Sequence, residues 1–240
     1  MLTEKEVLRL LEETQAVLHG HFLLTSGLHS PMYVEKFNVL QHPEYTEQLC
    51  QELAARFAAD NIELVVGPTT GGILLAHETG KALGTRAIFT ERENGKMTLK
   101  RGFQIPEGCR VLVVEDIVTT GGSVMEVMDV VREHGGNVVG VGLLVDRSGG
   151  KVDFGVRTEA LLHLNVPTYK AEDCPLCQDG KELTKRGSTG KSNLVNILFH
   201  FVCRHTKSII GKRNCFIFRI YFHLNFSFVI IRQRGLTHKV

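Results

Sequence analysis

Two adjacent acidic residues, Glu115 and Asp116, stand between an apolar run and a loop of small polar residues. The run Val-Leu-Val-Val at 111–114 is typical of a buried strand, and the apolar residues spaced through 124–131 indicate a helix that begins near Gly122. The connecting loop reads Ile-Val-Thr-Thr-Gly-Gly-Ser. The sequence therefore predicts a strand, a short loop and a helix, with the acidic pair at the end of the strand.

The chemistry of this loop is suited to a sugar phosphate. Backbone N–H groups of the loop and of the helix N-terminus attract a phosphate dianion, and the side chains of Thr119, Thr120 and Ser123 add hydroxyl donors. The acidic pair would repel a phosphate and is better suited to ribose hydroxyls, or to Mg²⁺ held through water. An ordinary strand-to-helix turn is the plain alternative, but it needs neither the acids nor the hydroxyls.

Four apolar residues, two acids, two apolar residues and a Thr/Gly/Ser loop together resemble the 5-phosphoribosyl diphosphate (PRPP) signature of the type I phosphoribosyltransferases. The resemblance implies that the loop holds the 5-phosphate, that the acids hold the ribose hydroxyls with Mg²⁺ nearby, and that Asp116 is catalytic. The PRPP-binding residues implied here are Glu115, Asp116, Ile117, Val118, Thr119, Thr120, Gly121, Gly122 and Ser123.

A second glycine loop, Gly-Pro-Thr-Thr-Gly-Gly at 67–72, follows another short apolar run. An ordinary turn would explain it, but a doubly phosphorylated ligand needs a second anion site, and this loop is placed to receive the pyrophosphate. Over about residues 1–190 the chain resembles the orotate phosphoribosyltransferases of the short bacterial kind. Those enzymes often carry a lysine in this loop and another before an N-terminal Ser-Gly pair; Gly71 and Thr25 stand in those two places here.

The charged segment 91–102 contains Asn94-Gly95, a pair that favours a tight turn. In the resembling enzymes a basic flexible loop here closes over PRPP, often from the neighbouring subunit. The resemblance therefore implies that Arg92 and Lys96 are catalytic and cover the pyrophosphate. A solvated charged hairpin without a catalytic role is the alternative.

Two further residues are implied to hold the base. Arg147 follows an apolar strand, and a guanidinium can bind a planar carboxylate through two hydrogen bonds. The resemblance implies that Arg147 holds the orotate carboxylate, that Thr119 contributes, and that Tyr33, in an element similar to Ser-Gly-x-x-Ser-Pro-x-Tyr, lies against the pyrimidine. The alternatives are a surface ion pair between Arg147 and Asp146, and a core role for Tyr33.

The alternation of apolar runs and amphipathic segments predicts an α/β fold, a parallel sheet flanked by helices. The resemblance implies the type I phosphoribosyltransferase-like sheet with a small N-terminal hood, formed by about residues 1–40 together with the C-terminal part of the body. The predicted helices span about 3–18, 43–60, 71–83 and 122–134, the predicted strands 64–67, 86–90, 110–114, 138–145 and 161–164, and residues 19–43 are predicted to be irregular.

Composition divides the chain near residue 190. Nine of its 28 basic residues lie in 191–240, which contains no acid, whereas residues 1–190 hold all 26 acidic residues. We interpret 1–190 as the phosphoribosyltransferase domain and 191–240, which alternates apolar residues from Phe216 to Ile230, as a dispensable, non-native extension outside the fold. A basic membrane-surface or RNA-binding appendage is the alternative. The acidic body argues against a nucleic-acid partner, and no apolar run is long enough to predict a membrane span.

Six cysteines in 240 residues do not indicate a disulfide scaffold, and the N-terminus reads as a capped helix, so a cytoplasmic location is expected. Cys174-Pro-Leu-Cys177 is either half a zinc site or a redox pair. Two ligands do not close a tetrahedral site, no matching pair is expected nearby in the body of the protein, and Cys203 and Cys215 are poorly spaced. No directly bound metal is therefore predicted, and Mg²⁺ is expected only through PRPP.

The resemblance implies one reaction: phosphoribosyl transfer from PRPP to N1 of orotate, giving orotidine 5'-phosphate and diphosphate in de novo UMP synthesis. The residues offer no convincing nucleophile–base pair, so no covalent enzyme intermediate is expected. A homodimer is implied by the resemblance alone. The alternatives are a phosphoribosyltransferase for another base and a non-enzymatic PRPP-sensing regulator.

Overall fold

The computed structural model describes residues 2–24 and 26–186 and confirms the predicted alternation of helices and strands. In chain order the elements are α1 (Glu4–Glu13), β1 (Val17–Leu23), β2 (His29–Val34), α2 (Phe37–Leu40), α3 (Pro43–Arg56), β3 (Leu64–Pro68), α4 (Gly71–Leu83), β4 (Arg86–Glu93), β5 (Lys96–Leu99), β6 (Arg110–Val118), α5 (Gly122–Glu133), β7 (Asn137–Asp146), β8 (Arg157–His163), a 3-10 turn (Ala171–Asp173), α6 (Pro175–Gln178) and β9 (Thr184–Lys185). Thr25 and the predicted extension 191–240 lie outside the described residues, so the division near residue 190 stays a prediction.

A six-stranded sheet in the order β5-β4-β3-β6-β7-β8 organises these elements. Its strands are parallel except for β5, which pairs antiparallel with β4. The central strands β3 and β6 are buried on both faces, which explains their uninterrupted apolar runs. The largely parallel sheet expected from the sequence is thereby confirmed.

Helices cover both faces of the sheet and divide the core in two. One apolar cluster packs α1, α3 and α4 against one face, with Phe57 and Leu112 fully buried. The other packs α5 against the opposite face around Val127 and Val113. The sheet is thus fixed from both sides, and its strand ends hold the loops between them in place.

The predicted hood contains a three-stranded sheet in the order β2-β1-β9. β1 and β2 pair antiparallel, and β9 adds two residues in parallel with β1. The prediction that residues 19–43 are irregular was therefore wrong, because β1, β2 and α2 lie in that range. Histidine and glycine residues in β1 obscured its strand pattern.

Helix α1 is shorter than predicted. Thr3 and Glu6 form a capping box that starts it, but it ends at Glu13 because Gln15 adopts a left-handed backbone with a φ of 55°. The apolar residues Val17 and Leu18, which extended the helical pattern, belong to β1. Among the described residues no helix combines the length and the apolar character needed to cross a membrane.

Candidate active site

Three loops meet at one edge of the sheet because β3, β6 and β7 are adjacent and parallel. Residues 69–72 follow β3, residues 119–123 follow β6, and Arg147 follows β7. The backbone N–H of Arg147 donates to the carbonyl of Val118 over 2.8 Å, which ties the third loop to the second. Ligands of open α/β sheets bind beyond the carboxyl ends of the strands, so this edge is the candidate site. We call it the strand-end cleft.

The loop 119–123 forms the floor of the strand-end cleft. Thr119, Thr120 and Ser123 are exposed, and the first N–H groups of α5 have no intrahelical acceptor. Gly121 has a φ of 77°, and a Cβ there would lie 2.7 Å from the side chain of Val152, so only glycine fits. The cleft is lined by Glu115, Ile117, Val118, Thr119, Thr120, Gly121, Gly122, Ser123 and Val124. The structure therefore brings the implied PRPP-binding loop together at one opening.

The acidic pair lies inside β6 rather than after it, because the strand continues to Val118. Both acids are buried, Asp116 with only 2% of its surface exposed. Burial and the neighbouring Asp116 raise the pKa of Glu115 to about 8, against a weaker lowering by the backbone N–H of Asp116, which donates to Glu115 Oε1 over 3.0 Å. Burial also raises the pKa of Asp116, while Lys36 opposes that rise. The pair thus holds less negative charge at neutral pH than its sequence suggests.

Lys36 is a charged contact of the cleft that sequence reasoning missed. Its Nζ lies 3.0 Å from Oδ1 and 2.8 Å from Oδ2 of Asp116. The lysine lies two residues after the end of β2 at Val34, and its side chain is about one-third exposed. Nothing in the local sequence links it to Asp116, eighty positions away, because the contact forms only when α2 packs beside the sheet edge.

Gly71 stands where the resembling enzymes often have a lysine, and the position of the Asp116 carboxylate requires a glycine there. A Cβ at this position would lie 1.9 Å from Asp116 Oδ2. The second loop is itself tightly folded, since a Cβ at Gly67 would lie 2.2 Å from the carbonyl oxygen of Gly72. A side chain at position 71 is therefore incompatible with Asp116 as it is placed here.

Arg147 directly follows β7, and its side chain carries one donor that no described residue satisfies. Its Nε is buried and has no hydrogen-bond partner among the described residues, and burial lowers its pKa while the nearby Tyr33 opposes that shift. The alternative pairing with Asp146 does not occur: the Asp146 carboxylate accepts from the N–H of Ser148 over 2.7 Å. Tyr33 also packs on Phe22, with ring centroids 5.7 Å apart. The structure thus brings the hood aromatic and the arginine to the same cleft.

The predicted basic segment is a β-hairpin of β4 and β5 with its turn at Asn94-Gly95. Arg92 is not free: its guanidinium reaches Glu126 of α5 over 2.7 Å and the carbonyl of Gly95 over 3.0 Å. Lys96 is exposed and forms no ion pair with any described residue. Of the two implied cationic groups, only Lys96 is available for a ligand without rearrangement.

A second polar cluster lies in the hood, away from the strand-end cleft. Cys174 and Cys177 lie beside His21 and His29, and their ligand atoms are all within 4.8 Å of one another. The interpretation that no matching pair lies near the two cysteines was therefore wrong. The histidines are about 150 positions away in sequence, and only the pairing of β1 with β2 and the return of the chain bring them together. We call these four residues the His/Cys cluster.

Comparison with known proteins agrees with this geometry. Residues 38–154 match the phosphoribosyl transferase domain family. The orotate phosphoribosyltransferase of Pelotomaculum thermopropionicum is 58% identical over 187 residues, 78% of this chain and 98% of that protein. That of Desulforamulus reducens is 54% identical over the same shares. A crystal structure of orotate phosphoribosyltransferase from Aeropyrum pernix matches with a TM-score of 0.55 at 28% identity, covering 65% of this chain and 92% of that one. The chain belongs to the orotate phosphoribosyltransferase family.

Proposed function

We propose that the strand-end cleft transfers the phosphoribosyl group of PRPP to N1 of orotate, giving orotidine 5'-phosphate and diphosphate. The observation that carries this proposal is the buried Nε of Arg147, which has no hydrogen-bond partner among the described residues. A buried guanidinium N–H without a hydrogen-bond partner is costly unless a ligand satisfies it. The carboxylate of orotate is a planar anion that satisfies this group through two hydrogen bonds, whereas uracil and the purine bases offer no carboxylate.

Alignment and charge placement supply the catalysis. Positive charge builds on the ribose C1 carbon as diphosphate leaves, and negative charge builds on the leaving group. The loop 119–123 holds the 5-phosphate through its N–H and hydroxyl groups, while Glu115 and Asp116 accept the ribose hydroxyls. Arg147, Tyr33 and Thr119 fix the base on the opposite side of C1. Holding both reactants in line replaces a bimolecular encounter by a unimolecular step.

Lys36 takes over part of the role of the lysines that stand elsewhere in related enzymes. Its ammonium lies 2.8 Å from Asp116, at the edge of the cleft where a ribose diphosphate would lie. Gly71 leaves room for the Asp116 carboxylate instead of projecting a cation. The charge that would come from the 67–72 loop is thus supplied from the hood, because the two places compete for the same space.

The acidic pair also has the donor chemistry for Mg²⁺, which prefers oxygen ligands and keeps several waters. Glu115 lines the cleft, whereas Asp116 is engaged by Lys36, so the ion would be held mainly through PRPP and water. When bound, Mg²⁺ neutralises diphosphate charge. The approach of the ion would favour the ionised form of Glu115, whereas burial favours the protonated form.

The β4–β5 hairpin supplies Arg92 and Lys96 to the diphosphate. To bind the diphosphate, Arg92 must release its ion pair with Glu126. Lys96 forms no ion pair with a described residue and can bind the diphosphate directly. We propose that the hairpin acts within a homodimer, as in the resembling enzymes, and that the enzyme is cytoplasmic. The buried Cys50 and Cys109, which form no disulfide with a described residue, are in keeping with a reducing compartment.

The proposal is tested by following the absorbance of orotate with PRPP and Mg²⁺, beside uracil, hypoxanthine and adenine. Orotate should be consumed at least about 100-fold more efficiently than any other base, because the others leave the Arg147 guanidinium unpaired. Preferred use of another base would assign a different phosphoribosyltransferase activity. PRPP binding without consumption of any base would favour a regulator.

A further inference from the structure

We propose that His21, His29, Cys174 and Cys177, the His/Cys cluster, bind one Zn²⁺ ion in a closed site that fastens the C-terminal segment to the hood. The site is distinct from the strand-end cleft and from the Mg²⁺ that accompanies PRPP. The proposed zinc ion takes no part in phosphoribosyl transfer.

The atoms of the cluster already stand close to tetrahedral positions. His21 Nε2 lies 3.5 Å from Cys174 Sγ and 3.7 Å from Cys177 Sγ. His29 Nδ1 lies 3.2 Å from Cys177 Sγ and 2.9 Å from His21 Nε2. Zinc–ligand bonds of about 2.1 Å to nitrogen and 2.3 Å to sulfur place the corners of a tetrahedron about 3.3–3.8 Å apart. On this geometry the nitrogen–nitrogen distance must lengthen by about 0.5 Å, and the distance from His29 Nδ1 to Cys177 Sγ by about 0.4 Å.

The surrounding hydrogen bonds orient the ligands. His21 Nδ1 lies 2.9 Å from the carbonyl oxygen of Lys181. A carbonyl can only accept, so Nδ1 carries the hydrogen and Nε2 directs its lone pair into the cluster. Such a backbone contact on the non-ligating nitrogen is typical of metal-bound histidine. The cluster therefore has a partner beyond its four ligands that selects the required tautomer.

Backbone contacts present the other three ligands. The N–H of His29 donates to the carbonyl of Tyr169 over 2.8 Å, and that of Tyr169 donates back over 2.9 Å. The N–H of Cys177 donates to the carbonyl of Cys174 over 3.1 Å, which closes the Cys-Pro-Leu-Cys turn and brings both sulfurs to one side. The chain thus positions the ligands before any ion is bound.

The donor set selects the class of metal. Two thiolates and two imidazoles suit Zn²⁺, whereas Mg²⁺ and Ca²⁺ prefer oxygen. His21, His29 and Cys174 are buried, with at most 5% of their surface exposed, and Cys177 closes the fourth corner from the surface. Four protein ligands leave no position for water or substrate, so the site is structural rather than catalytic.

The C-terminal segment needs such a fastening. Among residues 165–186 Cys174 is the only buried residue, so apolar burial contributes little to holding the segment. Its backbone pairing with the hood sheet is limited to the two residues of β9 and a single bridge between Tyr169 and His29. A metal bound by both parts supplies the missing cross-link, as in small domains that lack a sufficient core.

The test is the metal content and thermal stability of the full chain, purified under reducing conditions with zinc present. We expect one zinc per chain, released by a thiol-blocking mercurial reagent, and a drop of several degrees in Tm when a strong chelator removes it. The Cys174→Ser/Cys177→Ser double variant should lose the zinc. Matched controls are Cys109→Ser, another buried free cysteine, and His19→Ala, an exposed histidine on the same strand; both should keep it.

A second measurement does not depend on the folding of the variants. The wild-type chain loaded with Co²⁺ should show thiolate-to-cobalt charge transfer and the intense visible bands of tetrahedral cobalt. A zinc-free chain, zinc retained by the double variant, octahedral cobalt spectra, or a Cys174–Cys177 disulfide in the native protein would each overturn the proposal. None of these results depends on phosphoribosyl transfer.

Discussion

The strand-end cleft and the His/Cys cluster both contain buried polar atoms, but they satisfy these atoms in opposite ways. In the cleft Arg147 Nε has no hydrogen-bond partner among the described residues, and burial raises the pKa of Glu115 to about 8. In the cluster each ligand atom lies beside another ligand atom. Polar groups left without a partner in an open cleft indicate a ligand that binds and dissociates in each turnover. A closed set of donors indicates an ion that stays.

This comparison predicts a separation of effects. Loss of the ligand-facing charge of Asp116 or Arg147 in the strand-end cleft should change turnover more than stability, whereas loss of the His/Cys cluster should change stability more than turnover. A cleft variant that unfolds the chain, or a cluster variant with normal stability and no activity, would break it.

The largest effect is expected for Asp116→Asn. The substitution keeps the size of the side chain but removes the charge that faces Lys36 and that, in the proposed complex, faces the ribose hydroxyls. The value of kcat/KM for PRPP should fall by about 100-fold or more, the usual cost of a lost charged contact at a reacting centre. Steady-state kinetics measure it, with the exposed Asp129→Asn on α5 as control. An Asp116 variant as active as the control would remove Asp116 from the mechanism.

The pH dependence of stability sharpens the contrast from the side of the cleft. The folded pKa of Glu115 is raised from 4.5 to about 8, so the folded state holds a proton that the unfolded state has released. This stabilisation is complete below pH 4.5 and is lost as the pH rises towards about 8. Glu115→Gln should remove this loss, so that at pH 9 the free energy of unfolding of the variant exceeds that of the wild type by on the order of a few kcal/mol.

Urea unfolding at pH 5, 7 and 9 measures this difference. The exposed Glu133→Gln serves as the control, and it should follow the wild type at every pH. Parallel curves for the wild type and the Glu115 variant would show that the Glu115 carboxyl titrates normally in the folded chain.

A smaller effect is expected for Gly71→Ala, which tests whether the glycine makes room for Asp116. The new methyl group would overlap Asp116 Oδ2, and overpacking of this kind costs about 1–3 kcal/mol. Thermal unfolding should show a lower Tm. Gly122→Ala, where a Cβ meets nothing within 4 Å, is the stability control and should leave Tm unchanged or slightly higher. Equal Tm values for both variants would contradict the steric account.

The smallest effect is expected for Glu126→Gln, which frees Arg92 of the hairpin. The ion pair is nearly half-exposed on both sides, and such pairs contribute about 0.2–1 kcal/mol. Release of Arg92 should therefore lower the KM for PRPP by at most about 5-fold. A raised KM would mean that Arg92 acts from its position on Glu126 rather than by leaving it.

The two sites also differ in how far the sequence predicts them. The proposed PRPP-binding segment is contiguous, from Glu115 to Ser123, so its chemistry is visible in one stretch, and the strand–loop–helix order follows from apolar spacing. The His/Cys cluster joins positions 21 and 29 to positions 174 and 177, and only the antiparallel pairing of β1 with β2 makes them neighbours.

Lys36 was missed for the same reason as the cluster, because its contact with Asp116 spans eighty positions. The strand was predicted to end at residue 114, but β6 continues to Val118, because buried acids inside a strand depart from the usual apolar pattern. Here Lys36 pairs with one of these acids, Asp116. Local patterns thus predicted the elements, while contacts between distant segments decided which polar groups are paired.

The central claim, that the strand-end cleft holds orotate through Arg147, is tested most directly by Arg147→Ala. The KM for orotate should rise about 10- to 100-fold, the cost of a lost charged hydrogen-bonded contact, while the KM for PRPP stays close to that of the wild type and of the exposed control Arg132→Ala. Equal increases in both KM values, or an unchanged KM for orotate, would contradict the account.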